Sequence, residues 1–99
     1  MKARGPITRE AAEELAIQAL TFIAQDVERL GRFLAVTGIG PAEIRAASAE
    51  PGFLAGVLEY LAADDRLAGT FAAESGLDSA DLARAHVALG GAPWEREVP

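Results

Sequence analysis

The chain contains no cysteine. Disulfides, thiolate metal sites and cysteine nucleophiles are therefore all excluded. A 99-residue chain without such staples must hold itself together by packing or by association. Aromatic residues make up only 6% of it, although 51% is hydrophobic, and alanine and leucine fill the difference. That mixture favours helices, because Ala loses no side-chain entropy and Leu little. It disfavours sheets, which draw on β-branched and aromatic residues. Lysine is nearly absent, with Lys2 alone, and the net charge is −6. An acidic chain repels phosphates and anionic lipid, so nucleic-acid and membrane-surface roles start at a disadvantage. No long apolar run is present, so no segment reads as a membrane span. The start, "MKARGPITRE", has basic residues with no apolar stretch behind them, unlike a secretory signal.

What is present is a string of helix starts and stops. Residues 1–7 read as a flexible leader, residues 8–91 as one helical domain and residues 92–99 as an irregular tail with two prolines. Thr8 is placed to cap a first helix. Its apolar side gathers Ala12, Leu15, Ala16, Ala19, Phe22 and Ile23, while Ile17 falls at the polar edge and is expected to be exposed. Asp26 caps the next, "VERLGRFLAVTG", with Val27, Leu30, Phe33 and Leu34 at helical spacing and Gly38 at its end. Gly40-Pro41 opens a short third helix, because the first helical position has no use for the N–H that proline lacks. Pro51 opens a fourth. Its Phe53, Leu54, Val57, Leu58, Tyr60 and Leu61 form the strongest apolar face, with Glu59 directed away from it. Asp64 and Gly76 bracket a fifth helix carrying Leu67 and Phe71. Asp78 or Ser79 caps a last one, with Leu82, Ala85, His86 and Leu89 on one face. No period-two alternation and no internal repeat of useful length stands out. The fold expected is all-α, a compact bundle of five to six short helices.

The chemistry-bearing residues are few. His86 is the single histidine, so a multi-histidine metal site is impossible, and no ligand-like spacing of carboxylates replaces it. No metal and no cofactor is expected. His86 shares a face with Leu82 and Leu89 and reads as a half-buried ring with a backbone or carboxylate partner. No nucleophile-elbow sequence surrounds Ser48, Ser75 or Ser79, and no catalytic residue is assigned.

The stretch "VTGIGP", residues 36–41, looks like the turn of a helix-hairpin-helix motif, which grips a nucleic-acid backbone with turn amides and a helix N-terminus. Its neighbours argue otherwise. Pro41 removes one amide, and Glu43 puts a negative charge where the phosphate would lie. The turn is not expected to bind duplex DNA. Arg29, Arg32 and Arg45 surround it. Arg45 is expected to pair with Glu28, Glu43 or Glu50, with bidentate anion binding as its alternative. Trp94, the single tryptophan, either docks on its own domain or anchors a partner. The binding candidates are Arg45, Thr37, Ile39 and Trp94.

The stretch "RFLAVTGIGPAEIRAASAEPGFLAGVLEYLAADDRLAGTF" resembles the core of the domain-of-unknown-function family 3572. The resemblance runs from "AAEELAIQALTFIA" to about Leu89. It is carried by Phe33-Leu34, Thr37-Gly38, Pro41 with Arg45, Pro51, Phe53-Leu54 and Val57-Leu58. It implies a helical fold and a bacterial source, and it brings no catalytic residue. The functional expectation is a soluble, cytoplasmic protein-interaction module, with a homodimer as one of its forms. A nucleic-acid binder acting through the 38–41 hairpin, or a small-ligand site or enzyme built on Arg45 and nearby acids, is the alternative.

Overall fold

The computed structural model describes residues 7–91. The expected leader, apart from Ile7, and the tail with Trp94 lie outside the described residues. Most helices begin where a side chain can take an orphan backbone amide. Thr8 Oγ1 accepts from Ala11 N (3.0 Å) to start α1, Arg9–Ala24. Asp26 Oδ1 accepts from Glu28 N (2.9 Å) and Arg29 N (3.1 Å) to start α2, Val27–Thr37. The expected third helix is a single 3-10 turn, Pro41–Glu43, running into a four-residue α3, Ile44–Ala47. Pro51 opens α4, Pro51–Ala62. Asp64 Oδ1 accepts from Leu67 N (3.1 Å) to start α5, Asp65–Ser75. Asp78 caps α6, Ser79–Ala88. No strand occurs among the described residues, so the fold is the expected all-α bundle.

Three helices meet at the centre, with α1, α4 and α6 each packed against the other two. Ala16, Ala19 and Ile23 of α1, Val57, Leu58 and Leu61 of α4, and Leu82 and Ala85 of α6 are buried there. Alanines on α1 and α6 leave room for the larger side chains opposite, which is how short helices reach interior packing density. Leu20 also belongs to the buried face of α1, one residue more than its periodicity suggests. Val27 does not belong to that of α2: it is 86% exposed. It sits in the first turn, directly after the cap, ahead of the part of α2 that carries buried Phe33.

The structure corrects one sequence expectation outright, because an internal repeat is present. The elements of the first half recur 38 residues later, from Val27 to Asp65, from Thr37 to Ser75 and from Pro41 to Ser79. The caps recur with them, Asp26 as Asp64 and Gly38 as Gly76, with φ of 76° and 81° at the two glycines. A left-handed residue there lets the chain leave the helix, and glycine adopts it without steric cost.

Tertiary contacts repeat as well, and they cross between the halves. Phe22 of α1 meets Phe71 of α5 edge-on, with centroids 5.3 Å apart. Tyr60 of α4 meets Phe33 of α2 edge-on at 5.1 Å. Exchanging the halves turns one pair into the other. Each half thus lays the aromatic ring of its second helix on the first helix of its partner half. Such T-shaped pairs contribute about 0.5–1.5 kcal/mol beyond their buried area.

Candidate functional site

The turn after α2 is the leading candidate in the sequence, and its amides are already engaged. Gly38 N donates to Leu34 O (2.8 Å) and Ile39 N to Thr37 Oγ1 (3.3 Å). Gly40 N donates to Glu43 Oε1 (3.1 Å). The Glu43 carboxylate therefore occupies an amide that a phosphate would need. Thr37 Oγ1 in turn donates to Phe33 O (2.9 Å), so its hydroxyl closes the helix end from both directions. Ile39 is half-buried and packs against the core.

The second half builds the same device. Ser75 Oγ donates to Phe71 O (2.7 Å) and accepts from Leu77 N (3.1 Å). Asp81 Oδ2 accepts from Asp78 N (3.0 Å). Thr37 is thus one of a pair of helix-end hydroxyls, with a local role that its type and position explain.

Arg45 is exposed on α3 and forms no ion pair with Glu28, Glu43 or Glu50 among the described residues. Glu43 turns back onto Gly40, and α3 ends within one turn of Arg45. Thr37 and Arg45 share no bond. Of the three basic residues near the turn, Arg29 has the most specific contact, its guanidinium 4.0 Å above the Phe22 ring.

The one buried polar side chain among the described residues lies elsewhere. His86 is 1% exposed, more deeply set than the half-buried ring its helix pattern suggests. Its Nε2 lies 2.6 Å from Glu59 Oε2. The pattern of α4 directs Glu59 away from the core. Its side chain is 58% exposed, yet its carboxylate reaches inward to the ring. Gly91 closes the other side. A Cβ there would fall inside the imidazole, so only glycine lets the backbone pass. Gly91 N also donates to His86 O (2.9 Å). This cluster ties the end of α6 to α4. The imidazole is sealed from solvent, while Glu59 keeps most of its side chain exposed. Glu59 and His86 lie 27 residues apart on different helices, and no local pattern in the chain joins them.

Two hollows open on the outer side of α1. One, about 310 Å³, lies between α1 and α5 and is floored by Ile17, Phe22 and Phe71, with Gln18, Gln25 and Glu74 at its rim. The other, about 410 Å³, is lined by Glu10, Glu13, Glu14 and Ile17. Ile17 belongs to both, so they form one path along the helix. The helical phase of α1 places Ile17 at an exposed edge, and it is 39% exposed. The wall that α5 supplies is not legible in the sequence, since it depends on how the halves cross.

Among the described residues no group of three His, Cys, Asp or Glu side chains could hold a metal ion. No helix there is long and apolar enough to cross a membrane.

The model of the family described as "Protein of unknown function (DUF3572)" matches residues 9–92. The chain belongs to this family. The match takes in all six helices, including the turn, the His86–Glu59 contact and the α1–α5 hollow. No curated protein and no solved structure matches the chain. Membership in DUF3572 thus agrees with the resemblance read from the sequence and assigns no activity.

Proposed function

We propose that this DUF3572 chain is a small protein-interaction module. The observation that carries the reading is the open α1–α5 hollow. It has an aromatic and aliphatic floor, to which exposed Ile17 belongs, and a polar rim. An apolar centre inside a polar rim is the usual anatomy of a contact patch. The other polar features support the same reading by being used up internally. The turn amides serve helix ends, and His86 Nε2 serves Glu59.

The nucleic-acid alternative is weakened because both hairpin turns hold a carboxylate of their own, Glu43 and Asp81. The ligand or enzyme alternative based on Arg45 is weakened because Arg45 lines neither hollow. A cytoplasmic location and a bacterial source go with the proposal, on the lack of cysteine and the family resemblance.

The test is a photo-crosslinking residue placed at position 17 of the full chain, with a control at exposed Thr70. A discrete protein adduct at 17 and none at 70 is expected in the native cell. No protein adduct at 17 would overturn the reading. So would duplex-DNA binding at low micromolar protein with a steep salt dependence.

A further inference from the structure

The internal repeat says what kind of element fits the α1 hollow. On α4, Ala55, Glu59 and Ala62 form a ridge at helical spacing. Ala55 is buried at 7% exposure, Ala62 is half-buried, and Glu59, its side chain still largely exposed, reaches in to hold His86 of α6, which packs along α4. The same ridge on α1, by the repeat, is Ile17, Thr21 and Ala24, and all three are exposed. The element that would cover it is α3, the counterpart of α6. It has four residues where α6 has ten, because Pro51 begins α4 almost at once. The first half therefore lacks the covering helix that the second half has.

We infer that the Ile17–Thr21–Ala24 ridge and its hollow receive a basic amphipathic helix from another protein. This rests on the interaction-module reading and names its partner's chemistry. The helical shape follows from α6, which reaches that ridge through His86 and whose buried side carries Leu82 and Ala85 and runs on to Leu89 just past its end. The basic charge follows from the rim. Glu10, Glu13, Glu14 and Glu74 line the path, and of these only Glu13 has an ion-pair partner among the described residues, Arg9 at 3.8 Å.

The same rim argues against a second copy laid antiparallel on α1, since the last turn of α1 holds no basic residue to meet the glutamates. It also argues against the chain's own tail, "APWEREVP", which carries two glutamates and one arginine.

The probe is a synthetic peptide that keeps the Leu82–Ala85–Leu89 spacing and carries lysines on its other face, with a glutamate version as control. The lysine peptide is expected to bind the full chain with an affinity that falls as salt rises. Ile17→Glu and, independently, Thr21→Lys should each weaken it about tenfold or more while the helical circular dichroism is unchanged. The double variant E10Q/E14Q should flatten the salt dependence. Equal binding of the glutamate peptide, or undiminished binding by both Ile17→Glu and Thr21→Lys, would overturn the inference. A dimer of the unmodified chain that Ile17→Glu dissociates would give the ridge to a second copy. A gain in affinity of about tenfold on deleting residues 92–99 would give it to the tail. A protein adduct at position 17 together with a failed peptide would leave the module reading standing and remove this one.

Discussion

The two halves of the chain use one local grammar and finish it differently. In both, an aspartate starts an 11-residue helix and a hydroxyl and a glycine end it. In both, a phenylalanine in that helix meets an aromatic ring of the other half. They diverge at the third element. The second half continues into a ten-residue α6 that packs along α4, while the first has only a 3-10 turn and four helical residues before the next proline. The paired residues diverge too. Glu59 and His86 stand where the first half has Thr21 and Ser48, and Asp65 and Glu74 where it has exposed Val27 and Val36. Caps and aromatic pairs are what the shared scaffold needs. The third helix and the outer faces are free to differ, and the difference leaves one half open.

The comparison is broken most severely at the crossed rings. Phe33→Ala and Phe71→Ala should each cost about 3–5 kcal/mol in chemical denaturation. Double-mutant cycles should give coupling of about 0.5–1.5 kcal/mol for Phe22 with Phe71 and for Phe33 with Tyr60, and none for Phe22 with Phe33. Coupling within a half instead of across would refute the crossed arrangement.

Next in size is the asymmetric contact. Glu59→Ala strips the carboxylate from buried His86 and should cost about 1–3 kcal/mol. Thr21→Ala, at the equivalent exposed position, should stay within about 0.5 kcal/mol in the same assay.

Smaller again is the cap. Asp64→Ala should lower stability by about 1 kcal/mol, and hydrogen exchange should show the loss concentrated in the first turn of α5.

The smallest effect belongs to its counterpart. The amide of Arg29, bonded to Asp26, holds that carboxyl below its ordinary value, and the amide of Glu28 and the charges of Arg29 and Arg32 act the same way. The charged form is thus favoured by folding. Its contribution is present at neutral pH and is lost as pH falls through the folded-state value, below the ordinary 3.8. Asp26→Asn should reduce that acid-side slope in a pH series of unfolding curves. An unchanged slope would show that the cap does not titrate.

Much of the fold is legible because it is local. Thr8, Asp26, Asp64 and Asp78 cap helices at the positions where their side chains reach a free amide. Gly38 and Gly76 end them with a conformation that favours glycine. The repeat itself is written in Asp26, Phe33 and Gly38 against Asp64, Phe71 and Gly76, but each match is a single common residue set among unlike neighbours. The candidate site is legible only in Ile17, whose exposure follows from helical phase. Its wall of Phe71 and Glu74 comes from a helix far along the chain.

By itself, then, the sequence determined the helices, their ends and most of the buried face of each, because capping and amphipathic phase act within a turn or two of chain. Tertiary structure decided the rest. It set which half covers which, why Glu59 turns inward to His86 and why Arg45 stays apart from the acids near it in sequence. It also decided that the turn "VTGIGP" closes the end of α2, with the Glu43 carboxylate on the Gly40 amide. Those outcomes depend on crossing distances between helices, and a four-residue α3 beside a ten-residue α6 leaves the ridge of α1 uncovered.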